Sequence, residues 1–383
     1  MIHNRYLFLL AFLSICAFSV DKVQGQLHNP KSIEFDWSTD TNNSTVPLSE
    51  FEVVLARNSF PVLDYPEFVG EEEGLKDFFI HEPVIAVNIN GEAKAYPLNM
   101  LTMHEMSNDS CGGVPILPTF CPLCNSSVVF DRRLKHDGKE YLLDFEVSGM
   151  LRHSDMVMVD KQTETWWQQL MGEGLVGELA GAELDIVSSM ILSVEEFFSH
   201  YPHGKILSHH TGQAVESMYG HNPYVHYDSA GHKPYERYFN HEDLSDKLEP
   251  MERIVSVRGN EGYRIYAFSD ISDSVVINDE YDGKKIVILY EEGAVSVLDE
   301  EDITKSKTIG TATVFFTRLD GQYLTFKSVD GKFFDNETGS RWDIGGLCLE
   351  GPLKGKELIP QTHTNHFAFA WLSFNPDSEI YGH

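Results

Sequence analysis

The chain has 383 residues, 42% hydrophobic, 12% aromatic and 23% charged, a globular mixture that excludes disorder and fibrous repeats. Against 29 Lys and Arg stand 59 Asp and Glu, a formal net charge of −30. So acidic a surface repels phosphate backbones and argues against a nucleic-acid partner.

Residues 1–25 place Arg5 ahead of an apolar run from Tyr6 to Val20, then polar residues and the small Gly25. That is the layout of a secretory signal peptide cleaved near Gly25, and the run is too short for a good membrane span. The protein is therefore expected to be secreted or extracytoplasmic, with no transmembrane segment beyond the signal peptide. Outside the cytosol the remaining Cys111, Cys121, Cys124 and Cys348 are expected to oxidise unless a metal or redox partner holds them. Asn42, Asn43, Asn108, Asn125 and Asn336 head glycosylation sequons, which matter only in a host that glycosylates.

Residues 26–74 read as a mixed lead-in. From 75 to 210 short β-rich runs dominate (VIAVNI, AKAYPL, VPILPTF, SSVVFD, MVMVD), punctuated by Gly- and Asp-containing turns. One helix is expected over 98–106, carrying His104. Another follows Ser193, where Ser193 and Glu196 have capping-box spacing and Pro202 stops the run. Residues 211–250, rich in His, Tyr and Pro, read as a connection. Residues 251–383 return to β-rich runs (RIVSVR, YRIYAF, KIVILY, TVFFTRL), with a last helical run, HFAFAWLSFNP, ending at Pro376.

The second β-rich region repeats the first. EPVIAVNINGEAKAYPL from Glu82 aligns with ERIVSVRGNEGYRIYAF from Glu252, and SNDSCGGVPILPTF with INDEYDGKKIVILY. MVDKQTETWW aligns with FFDNETGSRW, matching Asp160, Thr163 and Trp167 to Asp335, Thr338 and Trp342. LVGELAGAEL matches LEGPLKGKEL. Four blocks in preserved order imply a tandem duplication, hence a β-rich α+β fold of two pseudo-symmetric lobes with few short helices: 75–210 and a degenerate 251–383. Features present in both copies are expected to be structural, and features in one copy to carry chemistry. The Asp-x-x-Thr-x-x-x-Trp block occurs twice and reads as an Asp and a Thr tying a turn ahead of a half-buried Trp. Counted without gaps, Cys121 faces Glu291, Cys124 faces Ala294 and His104 faces Ser274.

Cys-Pro-Leu-Cys after an apolar strand has the shape of a metal knuckle. Pro122 fixes the turn, and the residue after Cys124 must tolerate a left-handed backbone; Asn125 is the best substitute for the usual Gly. One knuckle supplies two ligands where a closed zinc site takes four. His104 is the expected third ligand, with Cys111, Met103 or Met106 completing the set, and the metal would be copper or zinc. Two alternatives stand beside this. The pair is a dithiol redox motif, although the run NSSVVFD that follows argues strand rather than the helix such sites prefer. Or the cysteines form a structural disulfide, for example Cys121 or Cys124 with Cys111, in a non-enzymatic binding module.

Softer signals are the histidines at 200, 203, 209, 210, 221, 226 and 232, which in an acidic chain either gather metal or mark a polar loop, and His363 with His366. Arg132 with Asp131, and Arg152 with Asp155, read as ion pairs or substrate anchors. No Gly-x-Ser-x-Gly, P-loop or dinucleotide fingerprint occurs, so hydrolase and nucleotide readings lack support. The protein or small-molecule partner, and whether the chain is an enzyme, stay open.

The runs YPLNMLTMHEMSNDSCGGVPILPTFCPLCNSSVVFDRR and FEVSGMLRHSDMVMVDKQTETWWQQLMGEGLVGEL resemble the domain-of-unknown-function 3179 family. Cys-Pro-Leu-Cys, the Ser-Gly-x-Leu step, Asp-x-x-Thr-x-x-x-Trp and the following Gln match in order, over most of the chain from about residue 75. The family pattern has Gly where this chain has Asn125. The resemblance implies no activity, substrate or cofactor; it supports the boundaries and singles out Cys121, Cys124 and His104.

Overall fold

The structure, a computed structural model, describes residues 37–382. The expected signal peptide, 1–25, lies outside the described residues, as does part of the lead-in. The alternating apolar runs become strands, and turn chemistry sets their register. Pro83–Ile89 pairs antiparallel with Glu92–Pro97 across Asn90-Gly91, both at positive φ (51° and 83°). That left-handed pair matches the natural twist of a two-residue hairpin. Asp137-Gly138, Asp282-Gly283, Asp320-Gly321 and Asp330-Gly331 close hairpins in the same way.

The fold is β-rich α+β. The α-helices among the described residues are Glu71–Asp77, Leu98–His104, Val194–His200, Phe268–Ser274 and Ala368–Phe374. Ser193 caps the third of these as its spacing predicts: its hydroxyl accepts from Glu196 N while the Glu196 carboxylate accepts from Ser193 N. The last starts two residues later than the run HFAFAWLSFNP suggests, because His366 belongs to the strand His363–Phe367. No helix among the described residues is long and apolar enough to cross a membrane.

The element order of 83–207 recurs in 253–380: two paired strands, a seven-residue helix, a hairpin, a four-stranded antiparallel array, a strand returning to the first pair, a helix and a short parallel strand. Side-chain bonds recur with it. Tyr96 and Lys94 donate to Asp109 Oδ2 at 2.7 and 2.8 Å, as Tyr266 and Arg264 do to Asp279 Oδ2. Trp167 Nε1 donates to Asp160 Oδ2 at 2.9 Å, and Trp342 Nε1 to Asp335 Oδ2 at 3.0 Å. Thr163 and Thr338 tie the two carboxylates from their own turns. Both indoles are fully rather than half buried, so each carboxylate supplies a bond that water cannot replace.

The two halves share a sheet. An eight-stranded sheet runs from Leu63–Asp64 through Ser107–Cys111, Val114–Cys121 and Ser126–Asp131 into His363–Phe367, Arg253–Arg258, Tyr263–Ala267 and Glu379–Ile380. The join is the pair Ser127 with Asn365, two residues beyond Asn125. The largest apolar cluster accordingly spans both halves, from Leu63 to Leu372, and encloses Cys121 and Cys124.

Candidate metal centre

Val114–Cys121 and Ser126–Asp131 form an antiparallel hairpin whose last pair is Cys121 with Ser126. Pro122–Cys124 makes one 3-10 turn, and Asn125 closes it in the left-handed region (φ 47°, ψ 36°) with its N–H on Pro122 O at 3.2 Å. The demand placed on the residue after Cys124 is thus met by Asn, the residue after Gly best suited to that conformation. This turn puts both thiols on the inner side of the hairpin, where they are buried.

A second hairpin delivers a carboxylate to them. Phe145–Arg152 and Asp155–Asp160 are joined by His153-Ser154, at φ 51° and 66°. Unlike the hairpin turns above it contains no Gly, so both residues carry a backbone strain of about 1 kcal/mol or more. Cys121 Sγ donates to Ser154 O at 3.8 Å. Asp155, fully buried, offers a carboxylate oxygen within 4.8 Å of both thiol sulfurs. Gln168 Nε2 and Leu170 N (3.0 Å) both donate to Asp155 Oδ2, and Arg152 Nη1 holds Gln168 Oε1 at 2.9 Å. One oxygen is therefore anchored, while Asp155 Oδ1 is buried without a hydrogen-bond partner.

Burial dominates the electrostatics. It pushes both thiols up, Cys124 well above the usual range, and Asp155 up to about 6. Glu105, at φ 60° after the helix Leu98–His104, is pushed up to about 8 by burial and by Asp155, and its Oε2 also lacks a partner. Each such orphaned buried group costs about 1–3 kcal/mol. Two thiols and the Asp155 carboxylate converge there, with Glu105 near enough to interact electrostatically with Asp155 and Cys121, so the ionised state of the group would be stabilised by a cation. Tyr227, itself buried, donates to Leu123 O at 3.1 Å, so the connecting segment roofs the turn.

The candidates read from the sequence are divided by the fold. Cys121 and Cys124 come together; His104 does not join them. Its Nδ1 bonds Pro61 O and its Nε2 bonds the Tyr219 hydroxyl, so both ring nitrogens are engaged by other partners. Cys111 pairs with Val114 at the opposite end of the strand that ends in Cys121, roughly 20 Å away at 3.3 Å per residue, and its thiol donates to Glu92 O at 3.1 Å. Met103 and Met106 lie in the same apolar cluster as the two thiols. All four described cysteines are free, so no disulfide joins Cys111 to the pair. Arg152 pairs with Glu50 at 2.7 Å rather than with Asp155, and buried Arg132 with Asp144 rather than Asp131.

Asp155 and Glu105 are the residues that sequence reasoning missed. The comparison of copies held the signal: counted from the matching pairs Phe145–Asp160 and Phe326–Asp335, the first hairpin runs two pairs further before it turns, and the pair Arg152–Asp155 lies in that extension, which the second lacks. Glu105 likewise faces Val275, which has the same backbone conformation (φ 61°, ψ −35°) without the charge.

The family described as "Protein of unknown function (DUF3179)" matches residues 57–378, most of the chain, and the chain belongs to that family. Neither the curated proteins nor the solved structures provide a match.

Proposed function

We propose that this DUF3179 protein is an exported metal-binding protein whose centre is ligated by Cys121, Cys124 and Asp155, with Glu105 as the fourth donor. One observation carries the reading: two thiols and a carboxylate oxygen converge within 4.8 Å in a buried site, and Asp155 Oδ1 has no other partner. Gln168, held by Arg152, fixes the other oxygen and so orients the ligand, the usual role of outer-sphere groups. The donor set selects the ion. Two sulfurs with one or two carboxylates suit a borderline cation, so of the expected copper and zinc, zinc is favoured; the His104 imidazole expected as third ligand is engaged elsewhere.

A dithiol exchange centre is the weaker reading. Exchange needs a thiolate, and burial raises both thiols away from that state. A bound cation reverses that effect. It also accounts for free thiols in a chain whose first 25 residues read as an export signal. The recurrence of fold and hydrogen bonds supports a tandem duplication into two pseudo-symmetric halves, about 75–210 and 251–383, with a metal centre in the first alone.

Elemental analysis of the purified protein tests this. Near-stoichiometric zinc is expected in the wild type, with at least a roughly tenfold loss of affinity in Asp155→Asn and loss of retained metal in Cys121→Ser. No metal in the wild type after reduction and reloading contradicts the proposal. Reversible oxidation of the pair in its place would select dithiol exchange.

A further inference from the structure

A second cluster of metal-ligating groups lies outside this centre, where His104 leads. The Tyr219 hydroxyl that bonds His104 Nε2 also bonds Thr211 Oγ1 at 2.8 Å. Its ring meets His209 edge-on, 5.0 Å between centroids and 90° apart, and Phe78 packs on the same imidazole at 5.8 Å. The loop 208–219 folds on itself through Ser208 Oγ to His210 N and Thr211 Oγ1 to Gln213 N, with Gly212 at φ 70°. It ends in the 3-10 turn Ala214–Met218, which returns Glu216 to the two histidines.

From this geometry we infer that His209, His210 and Glu216 form a second, solvent-facing site for a divalent d-block ion such as zinc, copper(II) or nickel. One nitrogen of each imidazole and one carboxylate oxygen lie within 4.8 Å of one another. Gly212 N donates to Glu216 Oε2 at 3.0 Å and leaves Oε1 turned to His210 Nδ1, 3.2 Å away. Asp77 Oδ2 is 3.9 Å from His210 Nε2 and adds negative potential. Two imidazoles and a carboxylate, the rest of the coordination left to water, is a donor set that such ions accept. The loop's own hydrogen bonds, rather than the ion, hold these side chains together, and the net charge of −30 draws cations to the surface. The site does not depend on the Cys121 centre: no residue is shared, and its donors are nitrogen and oxygen where those of the buried centre include sulfur.

Cobalt(II) distinguishes the two. The full mature protein, reduced and metal-free, is titrated with cobalt(II) while its absorption spectrum is followed. One equivalent is expected that shows only ligand-field bands, with no sulfur-to-cobalt charge transfer. His210→Ala, at an exposed side chain, and Glu216→Gln, at a half-buried one, should each weaken that equivalent by roughly tenfold or more and leave any charge-transfer band unchanged. Absence of any equivalent with ligand-field bands alone, or one that neither substitution weakens, overturns the proposal, whether or not a charge-transfer band marks the Cys121 centre.

Discussion

In the first half the strands Val114–Cys121 and Ser126–Asp131 are joined by the tight turn 122–125; in the second, Lys284–Glu291 and Thr311–Phe316 are joined by the long connection 292–310. The registers correspond, Cys121 with Ser126 and Glu291 with Thr311, so Cys121 and Glu291 hold the same place in the two sheets. Cys124 has no counterpart, because the turn that carries it is replaced. Around the two hairpins Asp155 lies in a two-pair extension that the second half lacks, Glu105 stands against Val275 and Gln168 against Asp343, while the Asp160–Trp167 bond and its twin at Asp335–Trp342 are alike. What the halves share holds strands together. What only the first half has is a buried group of two thiols and a carboxylate, the donors of the proposed metal centre.

The comparison breaks if a shared feature proves to be chemical. Trp167→Ala and Trp342→Ala should each destabilise by about 3–5 kcal/mol in denaturant unfolding, because each opens a core cavity and orphans a buried carboxylate. Neither should reduce metal content in protein that remains folded. It sharpens if an acid that only the first half has behaves differently from a charged residue in the hairpin of the second. Asp155→Asn should weaken metal retention by roughly ten- to a hundredfold in a competition with a chelator, while Lys332→Asn leaves it unchanged.

A third contrast is in pH. Glu82, buried with Oε1 unpartnered, is pushed up to about 8, whereas its counterpart Glu252 is only half-buried and accepts from Ser269 N at 2.9 Å. The folded chain keeps a proton on Glu82 that the unfolded chain releases near pH 4.5. The stability contributed is therefore complete below that pH and declines until about pH 8, at up to about 1.4 kcal/mol per pH unit. Glu82→Gln should flatten this decline in unfolding curves collected across the window. The smallest effect concerns the turns. Ser154→Gly should stabilise by about 0.5–1 kcal/mol and Gly331→Ser destabilise by a similar amount, since a side chain at Gly331 meets no atoms and only its φ of 72° resists.

Much of this fold is legible from local chemistry. Asn-Gly and Asp-Gly turns mark the hairpins, Ser193 and Glu196 mark a helix start, and the repeated Asp-x-x-Thr-x-x-x-Trp block marks a buried carboxylate–indole bond. The Cys-Pro-Leu-Cys-Asn turn could be drawn from its residues alone. Two things could not. The sheet that joins Ser127 to Asn365 is a long-range pairing with no local signature. His104 is the expected partner of the thiols because it lies on the helix that leads into the cysteine strand, yet helix Leu98–His104 ends with the imidazole turned to Pro61 and Tyr219. Asp155 reaches the thiols only because His153-Ser154 accepts a left-handed turn, which sequence patterns reserve for Gly and Asn.

X-ray absorption at the zinc edge of the His210→Ala protein, loaded with one equivalent of zinc so that the second site stays empty, tests the central claim most directly. The account predicts near-stoichiometric zinc with two sulfur neighbours at about 2.3 Å and the remaining ligands oxygen at about 2.0–2.2 Å, the sulfur shell vanishing in Cys121→Ser/Cys124→Ser. A first shell of nitrogen and oxygen alone, unchanged by that double substitution, would contradict a metal centre at Cys121, Cys124 and Asp155.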